Sequence, residues 1–270
     1  MKNKAIGVFD SGLGGLTAVK ELIKCLPNEN IVYFGDTGRV PYGTRSKETI
    51  IKYAAQDARF LLEHNVKMII AACGTVSSVA SNLGESLPVM FSGVLTPTAQ
   101  ACAQATKTGV VAVLGTSATI NSHSYKNLIN SINPDIKVFE QSCPLFVPLV
   151  ENGFTDKDDI IVRSVVDRYV SQFKNSDVDT VILGCTHYPL LKAAIGEALG
   201  DKVRLIDSGK ETALYTKKLL MEQNLLSHRE EEGVREFYVS DTPHNFESIA
   251  GLFLGRDMKS KAVRIDIEKY

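Results

Sequence analysis

Several features that mark other protein classes are missing from this 270-residue sequence. No apolar stretch approaches the roughly 20 residues that a membrane-spanning helix needs. No basic run with interleaved aromatic residues is present, and the net charge is only −1, which argues against a nucleic-acid partner. The first four residues lead almost directly into a strand-like run, so we expect no signal peptide there and a cytoplasmic protein.

Cysteine is also scarce, with five residues in the chain. The odd count and the wide spacing argue against a disulfide framework. No CxxC pair or cysteine–histidine cluster has zinc-ligand spacing, so we expect no metal site. Cys25 and Cys102 fall in helical segments and are expected in the core, whereas Cys143 lies in a loop and its role stays open. Cys73 and Cys185 are therefore the candidates for chemistry.

Short apolar runs alternate with amphipathic segments along the whole chain, a pattern typical of parallel α/β folds. Apolar residues make up 44% of the sequence and charged residues 23%, as in ordinary globular proteins. The length suffices for one large domain or two modest ones. We predict strands at 5–9, 31–34, 68–72, 89–91, 110–114, 181–183 and 203–206, and helices at 16–25, 47–64, 95–107, 156–174 and 208–221.

Cys185 follows a buried-strand pattern, and Pro189 stands where the next helix would begin. This places the cysteine at the carboxyl end of a strand, where open α/β sheets bind their ligands. It also places the thiol at the amino end of a helix, whose partial positive charge favours the thiolate. His187 is two residues away. On this pattern alone, packing as a small hydrophobic residue explains Cys185 equally well.

A second copy of this arrangement favours function over packing. The run 68–72 ends at Cys73, followed by Gly74 and Thr75, and the run 110–114 ends much as the first strand ends at Asp10. Such internal similarity indicates a duplicated unit. We therefore predict two pseudo-symmetric, doubly wound α/β domains, with mostly parallel sheets, that face one active-site cleft. Residues 1–92 with 209–270 would form the first domain, and residues 93–208 the second, which carries Cys185.

The glycine-rich turn after the first strand is not a dinucleotide-binding fingerprint, because its spacing is G-x-G-G and Asp10 would repel a pyrophosphate. A ligand with both an ammonium and a carboxylate group fits better. Asp10 could meet the cation or a thiol proton, while Ser11 and the amides of the turn meet the carboxylate.

Other positions are ambiguous from the sequence. The loop at Tyr42 and Gly43 is either substrate-facing or a surface turn. Glu151 could point into a cleft, although a solvent-exposed helix end is the simpler local explanation. The remaining histidines have no obvious partner and are expected at the surface or in the core: His64, His123, His228 and His244.

Two thiols on opposite walls of a cleft suit the movement of a proton from one face of a carbon to the other. The thiolate removes the proton, and the thiol delivers another from the opposite side. A thiol pKa of about 8.5 lies near working pH, so either form is accessible. Asp10 beside one cysteine and His187 beside the other could orient them.

With these residues the chain resembles the glutamate racemases of the cofactor-independent aspartate/glutamate racemase superfamily. The matching stretches cover most of the chain. They are GVFDSG (7–12), YFGDT (33–37), RVPYG (39–43), Ala72-Cys73 with Thr75, CPLFVPLVE (143–151) and LGCTHYPLL (183–191).

The resemblance implies interconversion of L- and D-glutamate without a cofactor, a supply of D-glutamate for peptidoglycan, and a homodimer. It implies Cys73 and Cys185 as the two acid/base groups, with Asp10, Glu151 and His187 as auxiliaries. The substrate contacts that it implies are Asp10, Ser11, Tyr42, Gly43, Gly74, Thr75, Thr186 and His187, with Thr119 as a weaker candidate.

The sequence departs from the family pattern at Gly74, where asparagine is common, and at Gly38, where a small alanine is usual. Two other functions stay open at this point. One is a hydrolase or transferase that uses Cys185 as a nucleophile with His187, and the other is a non-catalytic amino-acid-binding protein of similar two-lobed shape.

Overall fold

The structure is a computed structural model that describes residues 2–242, 246–255 and 261–270. Two sheets form its framework. The first sheet contains β1 (Ala5–Asp10), β2 (Ile31–Gly35), β3 (Val66–Ala71), β4 (Met90–Gly93), β9 (Arg235–Val239) and β10 (Val263–Arg264). The second contains β5 (Val110–Gly115), β6 (Lys137–Ser142), β7 (Thr180–Leu183) and β8 (Arg204–Asp207).

The two sheets repeat one strand order. The first runs β10-β9-β2-β1-β3-β4 and the second β6-β5-β7-β8. The four-stranded unit β2-β1-β3-β4 therefore corresponds to β6-β5-β7-β8, and the strand pairs of the described residues are all parallel. This confirms the predicted α/β class with parallel sheets, and it places the strands that precede the two candidate cysteines, β3 and β7, at equivalent positions.

Helices connect the strands in the manner that parallel sheets require. They are α1 (Leu16–Cys25), α2 (Lys47–Glu63), α3 (Gly74–Val79), α4 (Leu95–Ala105), α5 (Ser117–Asn121), α6 (Ser124–Ile132), α7 (Phe146–Glu151), α8 (Ile160–Val170), α9 (Lys192–Leu199), α10 (Ser208–Glu222) and α11 (Phe246–Leu254). Short 3₁₀ turns lie at Tyr42–Thr44, Ser81–Ser86, Ser171–Phe173, Tyr188–Leu191 and Ile267–Lys269.

The central strands are buried along their whole length. In both β1 and β3 all six residues are buried, as expected for parallel strands covered on both faces. Helix starts follow local capping rules. The side chain of Ser46 accepts a hydrogen bond from the amide of Thr49 and so begins α2 at Lys47, the start of the predicted helix 47–64. The side chain of Asp207 accepts hydrogen bonds from the amides of Gly209 and Lys210 and so begins α10.

Strand β6 and helix α8 are among the elements that differ from the sequence-based expectation, and helices α5 and α6 were not predicted either. Strand β6 was not predicted, because its sequence, KVFEQS, mixes charged, polar and apolar residues at the edge of the second sheet. The helix expected at 156–174 begins only at Ile160, because the Asp159 side chain accepts from the amides of Ile161 and Val162 and caps it there. It ends at Val170 and continues as a 3₁₀ turn.

The C-terminal segment returns to the first sheet. Strand β9 pairs with β2, β10 pairs with β9, and α11 packs against α1. Within the residues that the structure describes, no helix combines the length and the apolar character needed to cross a membrane.

A buried ion pair fixes the amino end of β3. The Lys67 ammonium binds the Glu29 carboxylate and the carbonyl oxygens of Lys2 and Leu225, and the side chains of Lys67 and Glu29 are each only 2% exposed. The pair therefore joins β3 to segments from both ends of the chain.

Replacing Lys67 by methionine should destabilise the protein by about 3–5 kcal/mol, because the Glu29 charge would stay buried without its partner. Urea unfolding measures the change. The matched control is Lys174→Met, which breaks the exposed pair with Asp167 and should change stability by at most about 1 kcal/mol. Equal losses in the two variants would contradict this account of Lys67.

Candidate active site

The loops that follow β3 and β7 line one cavity of about 360 Å³. This volume lies within the usual range for small-ligand sites. Most of the residues implicated by the sequence line it: Ser11, Tyr42, Gly43, Cys73, Gly74, Thr75, Glu151, Cys185, Thr186 and His187. The structure thus brings both thiols to the same cavity from two different sheets.

Cys73 is the N-cap residue of α3 and is 5% exposed. Its S–H donates a hydrogen bond to Ser11 Oγ, with a distance of 3.5 Å between Sγ and Oγ. Burial, reinforced by the negative charge of Asp10, raises the pKa of the Cys73 thiol to about 12. Cys73 therefore holds its proton at neutral pH.

Asp10 lies at the end of β1 and is fully buried. Its Oδ2 accepts a hydrogen bond of 3.0 Å from the amide of Gly12, while its Oδ1 has no hydrogen-bond partner among the described residues. Burial raises the pKa of Asp10, and the positive charge of His187 opposes that rise. Ser11 and Gly12 line the cavity in front of it.

Cys185 has a different set of neighbours. Its Sγ lies 3.8 Å from Nδ1 of His187, and Nε2 of the same ring lies 3.0 Å from Oε1 of Glu151. Burial disfavours the charged imidazole, but the hydrogen bonds to Cys185 and Glu151 outweigh it and raise the pKa of His187 to about 10. A positive imidazolium thus faces Cys185 at neutral pH. Glu151 is the last residue of α7 and its side chain is 43% exposed, as its sequence context favoured, but it also lines the cavity and binds His187.

The His187 ring is also held by residues of the first sheet's connections. A Cβ added at Gly14 would lie 2.6 Å from its Nδ1, so glycine is required for the main chain to pass here. Phe253 of α11 packs edge-on against the ring, with centroids 5.1 Å apart at an angle of 84°. The sequence offered no signal for Phe253, because the contact depends on where α11 docks.

Tyr42 lines the cavity, but its hydroxyl is engaged elsewhere. The hydroxyl donates to the buried carboxylates of Asp36 and Asp57, and both carboxylates also bind Arg39. This cluster anchors the loop before Gly43. The Tyr42 hydroxyl is therefore already bound within this cluster.

A chain of hydroxyl groups crosses the cavity wall. Thr75 Oγ1 lies 3.0 Å from Thr116 Oγ1, which in turn lies 3.0 Å from Thr119 Oγ1. Thr116 and Ser117 line the cavity, and the sequence reasoning did not single them out as ligands. Thr119 is only 1% exposed and stands behind Thr116. The sequence did contain a signal for Thr116, because it follows strand β5 much as Asp10 ends strand β1.

The cavity lining contains hydroxyl groups, thiols and backbone amides, and its charged members are Glu151 and His187. No lysine or arginine belongs to the described lining. A ligand carboxylate would therefore meet hydroxyl and amide donors, and His187 is the positively charged group of the described lining.

The other cysteines and histidines lie in local contacts. Cys102 is buried, Cys25 is partly buried, and Cys143 is fully buried at the cavity wall with its Sγ 3.6 Å from the Gln141 carbonyl oxygen. All five cysteines are free, and no group of three or more metal-binding side chains occurs in the described parts of the chain.

Three histidines have local partners at surface or partly buried positions, in agreement with the expectation that they lie at the surface or in the core. His64, His123 and His228 contact the Phe60 carbonyl, the Glu140 carboxylate and the Lys2 ammonium, respectively. None of the three lines the cavity. His244 lies outside the described residues.

Comparison with known proteins identifies the family of this fold and site. The sequence profile of the Asp/Glu/Hydantoin racemase family matches residues 14–216. The chain belongs to this family. The glutamate racemase of Geobacter metallireducens is 46% identical over 253 residues, which cover 93% of this chain and 93% of the relative.

Solved structures of other members share the fold of this family member over its full length. The glutamate racemase from Francisella tularensis in complex with D-glutamate superimposes with a TM-score of 0.92 at 40% identity, covering 100% of both chains. The glutamate racemase from Thermus thermophilus in complex with β-chloro-D-alanine gives a TM-score of 0.89 at 38% identity, covering 100% of this chain and 99% of that one.

The two thiols of this family member should differ in reactivity. Burial and the charge of Asp10 raise the pKa of the Cys73 thiol to about 12, so it is protonated at pH 8, whereas Cys185 lies 3.8 Å from the His187 ring. We expect iodoacetamide at pH 8 to label Cys185 first, as measured by peptide mass spectrometry. Faster labelling of Cys73 would contradict the assigned electrostatics.

Replacing Glu151 by glutamine should lower the pKa of His187 from about 10, because the imidazolium loses a carboxylate partner. A raised pKa means that protonation of His187 stabilises the fold fully below about 6.5, and that this stabilisation disappears as the pH rises through about 10. NMR titration of the His187 ring measures the shift. Glu63→Gln, at an exposed end of α2, is the control and should leave the titration unchanged.

Proposed function

We propose that this protein is a glutamate racemase that interconverts L- and D-glutamate without a cofactor and supplies D-glutamate for peptidoglycan synthesis. The observation that carries the proposal is the pair of thiols. Cys73 and Cys185 follow topologically equivalent strands, β3 and β7, and line one cavity. The names of the relatives at 40–46% identity support the same substrate.

In the proposed reaction, one sulfur acts as base and the other as acid. For one enantiomer, the Cys185 thiolate takes the α-proton and becomes a thiol. The electron pair left at the α-carbon then takes the proton of the Cys73 thiol from the opposite face, and Cys73 becomes the thiolate. The reverse reaction exchanges these roles, so the protons and charges balance in both directions.

The environments of the two cysteines support this division of labour. Cys73 starts protonated because it is buried beside Asp10. Cys185 is the proposed base, because its Sγ lies 3.8 Å from the ring of His187, which Glu151 orients. Opposite environments for paired acid/base groups are how one site provides both functions at neutral pH.

Substrate binding would use groups in the cavity wall and one carboxylate directly behind it. Asp10 is fully buried and does not line the cavity, and its Oδ1, which has no hydrogen-bond partner among the described residues, is the proposed acceptor for the substrate ammonium group. Hydroxyls and amides at Ser11, Gly43, Thr75 and Thr186 are the proposed donors to its carboxylates. Gly74 contributes its main chain only, and Tyr42 contributes atoms other than its hydroxyl.

A cysteine-nucleophile enzyme is the second candidate, and a specific observation favours it. Cys185, His187 and Glu151 form a thiol–imidazole–carboxylate row with separations of 3.8 and 3.0 Å, the arrangement that activates nucleophiles in hydrolases. That function would leave Cys73 without a role. The racemase proposal uses both thiols and agrees with the family.

The proposal extends to the organisation of the protein. We propose the division into residues 1–92 with 209–270 and residues 93–208 as the two domains. We also propose a homodimer in the cytoplasm, as the family resemblance implies. The two sheets and their loops are consistent with this division.

Incubation of L-glutamate with the purified protein, with no cofactor added, should abolish its circular dichroism signal as the racemate forms. Cys73→Ala and Cys185→Ala should each lose at least about a thousandfold of this activity, because either step of proton transfer then lacks its donor or acceptor. Cys25→Ala is the control and should keep activity, since Cys25 lies away from the cavity.

Full activity in either active-site variant would refute the two-base assignment. A covalent adduct on Cys185, seen by intact mass without any racemisation, would favour the nucleophile function.

A further inference from the structure

Two glycines, each next in sequence to one of the two thiols, lie in close contact. Gly74 directly follows Cys73, and Gly184 directly precedes Cys185. A Cβ added at Gly74 would lie against the Gly184 carbonyl oxygen, well inside the 3.0 Å that real Cβ atoms keep. It would also lie 3.8 Å from Cys185 Cα. The two cysteine-bearing loops are therefore in main-chain contact.

Glycine is not needed at position 74 for its backbone angles. Gly74 is the first residue of α3, and the glycines with positive φ are others: Gly109, Gly153, Gly200 and Gly255. Any L-residue could adopt the main-chain conformation there. The close approach to Gly184 is what demands the absence of a side chain.

Gly184 has no room to retreat from a larger neighbour. Its amide donates a 2.8 Å hydrogen bond to the Leu114 carbonyl oxygen, and its own Cβ position lies 2.7 Å from that same oxygen. Moving Gly184 would thus disturb the pairing of β5 with β7. A side chain at position 74 must instead push the whole Cys73 loop away from Cys185.

We propose that Gly74 is a positioning residue that sets the separation of the two thiols in this chain. A side chain at this position would hold the Cys73 loop further from Cys185 on this framework. The inference rests on the proposed two-base function, because only that chemistry needs both sulfurs within reach of one carbon. A misplacement of about 1 Å can reduce such a rate about a hundredfold.

The test compares Gly74→Ala, Gly74→Asn and the unaltered protein with L-glutamate in D₂O. Both variants should lose about ten- to a hundredfold in kcat, with a smaller change in KM, because substrate contacts on each wall remain. The decisive readout is the ratio of deuterium exchange in recovered L-glutamate to formation of D-glutamate. This ratio should rise in both variants. One thiol can still remove the α-proton, but the opposite thiol delivers a proton to the other face inefficiently, so the carbanion more often returns to L-glutamate.

Gly196→Ala is the matched control. Gly196 lies in α9, and its added Cβ would meet only a Leu205 methyl carbon at 3.7 Å, so kcat and the exchange ratio should stay as in the unaltered protein. An unchanged ratio and a kcat within about twofold in Gly74→Ala would overturn the proposal. A purely structural role would lower the melting temperature without changing the ratio.

A second measurement needs no variant. A crystal structure of the unaltered protein with D-glutamate bound should keep Gly74 Cα in van der Waals contact with the Gly184 carbonyl oxygen. Separation beyond about 4.5 Å would overturn the proposal. If the unaltered protein neither exchanges nor inverts glutamate, the proposed function itself fails, which separates that outcome from a failure of the Gly74 inference.

Discussion

Parallel pairing of β1 with β3, and of β5 with β7, is the constraint on which the site depends. In a parallel sheet, neighbouring strands end at the same edge, so each pair delivers two loops to one place. The first pair delivers Asp10 beside Cys73, and the second delivers the Thr116 turn beside Cys185. Because the two sheets repeat one strand order, two similar edges supply the two walls of one cavity.

Similar walls carry different charges, and this difference gives the thiols separate tasks. Burial, reinforced by the carboxylate of Asp10, raises the pKa of Cys73 to about 12. The neighbour of Cys185 is instead the imidazolium of His187, which Glu151 holds. The same buried surroundings that raise the energy of an unpaired thiolate make a nearby cation more effective. The fold is nearly symmetric, but its electrostatics are not.

Much of this arrangement could be predicted from the sequence because its signals are local. Apolar runs ending in Cys73 and Cys185 located two strand ends, and the recurrence of strand and turn predicted the duplicated fold. Contacts that depend on how distant segments dock could not be predicted. The edge-on packing of Phe253 against His187 and the hydroxyl bridge from Thr75 to Thr116 both join residues far apart in the chain.

The central claim is that protons leave and arrive at opposite faces of the α-carbon through different sulfurs. The most direct test is the isotope pattern at low conversion of L-glutamate in D₂O. Two separate acid/base groups predict D-glutamate that carries solvent deuterium at the α-carbon, while unreacted L-glutamate keeps its protium. Transfer of the substrate's own proton into the D-glutamate product would show that a single group serves both faces and would contradict the account.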